Sequence, residues 1–112
     1  MGKTLVMYSY SEMHIAEFSP QSILPYPVSN PVKKLNLEFY NIFKSAGGVK
    51  IIDYYENPSQ FTRLTFWKTS DAYNNWLQNP VIKNYICERD LYHLRNQITY
   101  NLKPAVIIEI YE

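Results

Sequence analysis

The chain has 112 residues and a formal net charge of +1, with 46% hydrophobic and 19% charged residues. This length allows one hydrophobic core and is too short for two, so we expect a single domain, residues 1–112. The composition argues against a disordered or fibrous chain. Lysines and arginines are scattered rather than clustered, which argues against a nucleic-acid partner.

Cysteine usage and apolar runs indicate a cytoplasmic protein. Cys87 is the only cysteine, which excludes an intrachain disulfide and a cysteine-rich zinc site. No segment approaches the roughly 18 apolar residues of a membrane span, and the first ten residues show no cleavable signal. We therefore expect no membrane association and a reducing environment.

A strand pattern and a proline-rich stretch open the chain. Residues 4–10 are rich in strand formers and are predicted to form the first strand, with a possible continuation toward Ile15. Four prolines between positions 20 and 31 disfavour regular structure, so residues 19–31 are expected to form a long loop. Loops of this length in compact domains are often functional, and we expect this one to cap a site.

The first helix is predicted over residues 31–46. Asn30 and Pro31 are typical of a helix start, because Asn caps free amide groups and Pro is pre-set for the first turn. Apolar residues then recur at spacings of three and four. Gly47 and Gly48 supply a left-handed stop.

The middle of the chain predicts a hairpin followed by two helical segments. Residues 49–56 and 61–68 are predicted strands joined by a turn with Asn, Pro and Ser. Residues 69–71 offer N-cap candidates for a helix that runs through Leu77. Asn79-Pro80 should interrupt this helix, and a second helical stretch follows from Pro80 to about position 97.

The last apolar run, residues 105–111 after Pro104, is predicted to be the fourth strand. The order βαββαβ indicates an α+β, ferredoxin-like domain with one antiparallel sheet and both helices on one face. Neither face is fully polar in the second and fourth strands, whereas a sheet wet on one side should alternate cleanly. We therefore expect a homodimer through the sheet face; the alternative is an exposed, aromatic-rich sheet.

The segment from Leu64 to Asn84 carries a resemblance to a known family. A strand ends in Trp67, Lys-Thr-Ser follows, and a helix with a second tryptophan, Trp76, leads into a turn at Pro80. This string resembles the antibiotic biosynthesis monooxygenase (ABM) family of dimeric α+β barrels, and it covers residues 46–84 well. Members of that family include cofactor-free oxygenases acting on polycyclic aromatic compounds, heme-degrading monooxygenases and many proteins of no established activity.

The resemblance implies some site residues and leaves others unmatched. In the heme-degrading branch it maps onto Trp67 a tryptophan that presses on the bound ring. That branch also needs a helical histidine as the axial ligand, and the matching position here is Ile86, which cannot ligate iron. The family's catalytic asparagine on strand 1 is not evident, since Ser9, Tyr10 and Ser11 stand there. The candidate catalytic residues are thus Trp67, Ser9 and Tyr10.

Five further residues are candidate ligand contacts: Tyr8, Tyr54, Arg63, Tyr85 and His93. A phenol hydrogen-bonds a quinone or phenolate and donates a proton. Arg63 is a candidate partner for a carboxylate or phenolate, with a surface ion pair as the alternative. His93 is a candidate base or heme ligand, with a surface or rim position as the alternative. No metal site is expected, because neither histidine has a ligand partner at helical spacing.

These expectations lead to one function and two alternatives. The first is an ABM-like monooxygenase, an oxidoreductase without a cofactor, that binds a small planar aromatic compound between the sheet and the helices. The second is a non-catalytic dimeric ligand-binding or interaction module of the same fold, in which Trp67 is a packing residue. Heme binding or degradation is the third. Trp76 is expected to be structural, and Cys87 a small buried hydrophobe.

Overall fold

The computed structural model describes residues 8–18 and 37–111. Its elements, in chain order, are β1 (Tyr10–Glu17), α1 (Leu37–Ala46), β2 (Gly48–Asn57), β3 (Gln60–Trp67), α2 (Ser70–Leu77), α3 (Pro80–Arg95) and β4 (Thr99–Val106). The strands form one antiparallel sheet in the order β2-β3-β1-β4. This is the predicted α+β, ferredoxin-like fold, with the second helical region divided into α2 and α3.

Side-chain caps fix the ends of the middle elements, and the predicted boundaries there are confirmed within about two residues. In the β2–β3 turn, the Ser59 amide donates to Asn57 Oδ1 at 2.8 Å. Thr69 Oγ1 caps α2 by accepting from the Ala72 amide at 3.1 Å. Asn79 caps α3, with Pro80 in its first turn. Each cap satisfies an amide that the helix itself leaves unpaired.

Two glycines end α1, as predicted. Gly47 has a φ of 109°, a conformation that L side chains rarely adopt. A Cβ at Gly47 would lie 2.7 Å from Ala72 Cβ, and one at Gly48 would lie 2.4 Å from the Phe43 ring. The close approach of α1, α2 and β2 therefore requires both glycines. The predicted helix start at positions 30–31, the loop over 19–31 and residues 4–7 of the first predicted strand lie outside the described residues.

The outer strand predictions were wrong in their bounds. β1 runs from Tyr10 to Glu17 instead of ending at Tyr10, and β4 is Thr99–Val106 instead of residues 105–111. Pro104 had marked the strand's start, yet it lies inside β4, opposite Glu12 of β1. Within the described sheet β4 pairs only with β1. An edge strand tolerates a proline because the missing amide needs no partner on the open side.

The helices pack on one face of the sheet, hereafter the helix face, and aromatic rings dominate the core there. The main cluster consists of Phe39, Phe43, Trp67, Ala72, Trp76, Ile82 and Tyr85. Trp67 is 1% exposed, and its ring centroid lies 4.7 Å from that of Phe43 and 5.1 Å from that of Trp76. A smaller cluster of Ala16, Phe18, Phe61 and Ile98 lies at the other end of the sheet.

The opposite face, hereafter the outer face, carries apolar side chains that none of the described helices covers. Met13 of β1, Leu64 of β3 and Ile52 of β2 stand opposite one another in a row. Ile52 is 39% exposed, and Tyr54, also on this face, is 37% exposed.

Among the described helices, none combines the length and apolar character needed to cross a membrane.

Candidate functional site

A small cavity of about 60 Å³ lies between the helix face of the sheet and the helices. Its lining comes from β1, β3, β4 and all three helices: His14, Ala16, Phe39, Phe61, Arg63, Thr65, Trp67, Tyr73, Trp76, Leu77, Tyr85, Ile86, Arg89 and Tyr100. Side chains alternate between the two faces of a strand. The register of β1 on β3, with Tyr10 opposite Trp67 and Ala16 opposite Phe61, therefore aligns the cavity along the strands.

One end of the cavity, hereafter the aromatic end, is formed by Phe39, Trp67, Tyr73 and Trp76. The Trp67 indole donates its Nε1–H to Thr65 Oγ1 at 2.9 Å. Because this bond satisfies the buried donor, Trp67 presents a ring rather than a hydrogen bond to the cavity. The Phe39 and Trp76 rings meet edge to face, with centroids 4.9 Å apart. This end offers flat apolar walls to a planar ligand.

The other end, hereafter the basic cluster, brings together His14, Arg63, Arg89 and Tyr100. Arg89 Nη1 donates to the Tyr100 hydroxyl at 3.0 Å, and the guanidinium lies 4.3 Å from the centroid of the Tyr100 ring. The other Arg89 nitrogens contact Asp90, whose side chain is 59% exposed. Tyr100 thus holds the Arg89 guanidinium from two sides, whereas the Asp90 charge is screened by solvent.

Arg63 is paired more fully than Arg89. Its Nε and Nη2 donate to the two carboxylate oxygens of Asp53 at 2.8 and 3.0 Å. Its Nη1 donates to the Tyr85 hydroxyl at 3.3 Å. A bidentate Arg–carboxylate pair is strong and geometrically fixed. Arg63 therefore anchors β2 to β3 and orients Tyr85 at the cavity wall.

His14 is held neutral within this cluster. Its Nδ1 is hydrogen-bonded to the Tyr100 hydroxyl. Burial, and after it the positive charges of Arg89 and Arg63, lower the pKa of His14 to about 3. Burial raises the pKa of Tyr100 to about 12, although the charge of Arg89 acts in the opposite direction. Both groups are therefore uncharged at neutral pH, so the fixed positive charge at this end belongs to the arginines.

A buried carboxylate lies beside the aromatic end. Glu12 is 2% exposed and accepts a hydrogen bond from the Tyr10 hydroxyl. Tyr73, which lines the cavity, also interacts with this carboxylate. Burial, followed by the interaction with Glu12, raises the pKa of Tyr10 to about 12 and raises that of Tyr73 as well. Both phenols thus stay protonated and supply the donors that a buried carboxylate requires.

The structure brings together three of the predicted site residues, since Trp67, Arg63 and Tyr85 all line the cavity. Tyr10 packs against the main core cluster and contacts Glu12 rather than the cavity itself. The Ser9 hydroxyl donates to the Lys68 carbonyl at 2.8 Å and is not among the lining groups.

The remaining candidates lie elsewhere. Tyr8 contacts the Phe66 ring, with centroids 5.3 Å apart, and Tyr54 lies on the outer face. Neither is among the residues that line the cavity. His93 is 4% exposed rather than at the surface, and its ring stacks on Tyr100 with centroids 5.1 Å apart. Cys87, expected to be buried, is exposed.

The sequence analysis missed His14, Arg89, Tyr100 and Glu12 as site residues. Their positions depend on the true bounds of β1 and β4, which bring His14 and Tyr100 to the same face through long-range pairing. One local signal was present: Arg89 follows Tyr85 by four residues, so the two lie on one face of α3. A first strand extended to position 17 would have placed Glu12 and His14 on the face of Tyr10.

Known proteins match this chain through structure rather than sequence. No family model matches the sequence, and no curated protein matches it either. A dimeric ferredoxin-like protein from an uncultured marine organism is similar to it with a TM-score of 0.69 and 10% identity, over 94% of this chain and 92% of that one.

Two further solved structures carry names that relate to oxygenation. SnoaB, a cofactor-independent oxygenase from Streptomyces nogalater, has a TM-score of 0.60 at 11% identity, over 92% of this chain and 96% of its own. A protein from Deinococcus radiodurans named as a putative antibiotic biosynthesis monooxygenase has a TM-score of 0.57 at 12% identity, with the same coverage. The chain thus shares the ferredoxin-like fold of these proteins, and the ABM resemblance is confirmed at the level of the fold.

Proposed function

We propose that this chain is an ABM-like, cofactor-independent oxygenase that binds a small planar aromatic compound in the cavity beside Trp67. The observation that carries the proposal is a cavity walled by aromatic rings, placed between sheet and helices in a fold shared with a cofactor-independent oxygenase. Residues lining the aromatic end stack on the ligand, and the basic cluster lies at the ligand's opposite edge.

The chemistry asks three things of the protein. A cofactor-free oxygenase must take a proton from an electron-rich substrate, stabilise the resulting anion and exclude water while oxygen reacts. Glu12 is the proposed proton acceptor, reached from the cavity through Tyr73. Arg89 and Arg63 stabilise the anion, and the rings of the aromatic end keep water out. In this scheme Trp67 is a wall and Tyr10 a positioning residue for Glu12.

The size of the cavity limits the ligand. The enclosed volume of about 60 Å³ is below the roughly 150 Å³ of an engineered cavity that holds benzene. Binding of a single aromatic ring therefore requires side chains at the wall to move outward. Leu77 and Ile86 line the cavity and are only half-buried, so we expect these two to move.

A ligand screen tests the proposal. Phenols, naphthols and hydroquinones are added to the protein in thermal-shift measurements, and those that bind are followed with an oxygen electrode in the presence of a chelator. A ligand at about 100 times its Kd stabilises the fold by about 2.7 kcal/mol, which raises Tm by several degrees. We expect such a shift, together with oxygen uptake that depends on the protein.

A matched pair of variants on α3 locates the binding. Ile86→Phe fills the cavity and is expected to abolish the thermal shift, whereas Leu91→Phe, at an exposed position of the same helix, leaves it intact. Absence of a shift with every compound would contradict the proposal. A shift that survives Ile86→Phe would place the ligand elsewhere.

The small cavity also favours a second candidate, a non-catalytic binding module of the same fold. Such a module binds the ligand but leaves oxygen uptake at the level of a protein-free control. The oxygen electrode therefore separates the two candidates. A heme-binding function has little support, because Ile86 lines the cavity and His93 packs behind Tyr100 without lining it.

We also propose that two copies associate through the outer face. Its central row of Met13, Leu64 and Ile52 is apolar, and one of the similar structures is described as a dimer. Large exposed apolar patches commonly mark interaction sites. Ile52→Glu is expected to convert the dimer to a monomer in analytical ultracentrifugation, while Leu94→Glu, at a 75% exposed position on α3, leaves it dimeric. A monomeric wild-type protein would contradict this assembly.

A further inference from the structure

We propose that the cavity selects anionic aromatic compounds, a carboxylate or phenolate on a single ring, and that Arg89 is the residue that binds the acidic group. The inference deepens the proposed function and rests on it, because it assumes that the cavity takes an aromatic ligand. It names the charge of that ligand and the direction in which it lies.

The lining of the cavity has a charge imbalance. Arg63 and Arg89 both line it, and none of the described lining residues carries a carboxylate. His14, between them in space, is neutral and adds no negative charge to offset the arginines. A partly buried positive field of this kind attracts an anion, since charges interact more strongly where water is excluded.

The two arginines differ in how far their charges are already neutralised. Arg63 forms a bidentate pair with Asp53. Arg89 contacts only Asp90 among carboxylates, through a single oxygen of an exposed side chain. An exposed pair of this kind contributes little. The side chain of Arg89 is itself only 16% exposed, so a ligand carboxylate is the stronger partner within its reach.

The geometry also shows how Arg89 is aimed. The Tyr100 ring lies under the guanidinium and the Tyr100 hydroxyl accepts from its Nη1. The same hydroxyl is fixed by His14 Nδ1. These contacts order the guanidinium before a ligand arrives, which reduces the entropy lost on binding. His14 and Tyr100 are therefore positioning residues for Arg89.

The ligand's orientation follows from the two ends of the cavity. A ring that stacks at the aromatic end directs its substituent along the strands toward the basic cluster. An acidic group there meets Arg89, and a neutral amide or ether leaves the guanidinium without an anionic partner. We thus expect discrimination by charge between compounds of nearly equal shape.

Two matched pairs of probes test this inference by calorimetry. Benzoate is compared with benzamide, and 4-nitrophenolate with 4-nitroanisole, all with the wild-type protein. We expect the anion of at least one pair to bind ten times or more tighter than its neutral partner. Preference in the first pair alone identifies a carboxylate ligand, and preference in the second alone identifies a phenolate.

Variants of two arginines on α3 assign the effect. Arg89→Gln is expected to weaken binding of the preferred anion by about tenfold to a hundredfold, as for loss of a hydrogen bond to a charged group, and to leave the neutral probe unchanged. Arg95→Gln makes the same charge change at an exposed position near the end of the helix and should leave both unchanged. Arg89→Lys should restore part of the preference.

The outcomes separate this inference from the proposed function. If neutral probes bind as tightly as anions to the wild-type protein, charge selection is wrong while aromatic binding stands. If the preference survives Arg89→Gln, the anion is held elsewhere. If neither member of either pair binds, both proposals fail. The wild-type comparison needs no variant, so a poorly folded Arg89→Gln protein would still leave the inference open to refutation.

Discussion

The aromatic end and the basic cluster lie on the same strands, yet they are built on opposite principles. At the aromatic end, buried rings pack edge to face and the one indole donor of Trp67 is satisfied by Thr65. At the basic cluster, two arginines and a neutral histidine lie in partly buried positions. Burial of apolar area stabilises the fold, whereas confinement of charge in a low dielectric costs stability. The difference indicates that the first end maintains the fold and the second serves the ligand.

Phe43→Ala breaks the packed side most severely. Phe43 is 0% exposed, contacts the Trp67 ring and does not line the cavity. Its truncation removes apolar contacts and leaves a void, so we expect a loss of about 3–5 kcal/mol in the free energy of unfolding. Urea denaturation measures the loss. Leu94→Ala, at an exposed site, should change it by less than about 0.5 kcal/mol. An equal effect of the two variants would contradict the packing argument.

A pH titration probes the polar side. Burial lowers the pKa of His14 to about 3 and that of His93 to about 4, from an ordinary value of 6.5. Below pH 6.5 the unfolded chain therefore binds protons that the folded chain does not, and stability falls with pH until the folded pKa values are reached. At pH 5.5 the expected loss is about 1.4 kcal/mol for each histidine.

His14→Gln isolates the share of the basic cluster in that pH dependence. The glutamine cannot take up a proton, so we expect the slope of unfolding free energy against pH between 5 and 6.5 to fall by about half. Denaturation curves at several pH values measure the slope. His93→Gln should reduce it by a similar amount, since His93 also packs on Tyr100. A slope that neither variant changes would assign the pH dependence to other groups.

The same comparison explains what the sequence could predict. Thr69, Asn79, Pro80 and Gly47 act within a few residues of their positions, so the ends of the hairpin and helices were readable from local chemistry. Trp67 was found because it ends a strand just before a capped helix.

The basic cluster was not readable in this way. His14 and Tyr100 meet because β4 pairs with β1 across more than eighty residues. Nothing near Tyr100 indicates that pairing, and Pro104 suggested a different strand start. Residues whose positions depend on the register of distant strands require the structure.

Thr65→Val sharpens the distinction between packing and polar satisfaction at the aromatic end. Thr65 is 5% exposed and its hydroxyl accepts from Trp67 Nε1. Valine keeps the shape and removes the acceptor, so the buried indole N–H loses its partner at an expected cost of about 1–3 kcal/mol. Chemical denaturation measures the loss. A double-mutant cycle with Trp67→Phe is the control: with no indole donor present, Thr65→Val should cost much less. Equal costs in both backgrounds would show that the bond contributes nothing.

Asp53→Asn and Asp90→Asn test the smallest difference, the one between the two arginines. Asp53 meets Arg63 through both carboxylate oxygens, while Asp90 meets Arg89 through one. We expect Asp53→Asn to lower the free energy of unfolding by about 1 kcal/mol and Asp90→Asn to change it by about 0.3 kcal/mol or less, because exposed pairs are screened by solvent and salt. Unfolding at low and high salt measures both. A larger loss for Asp90→Asn would mean that the Arg89 charge is already satisfied within the chain, which would remove the reason for Arg89 to attract an anionic ligand.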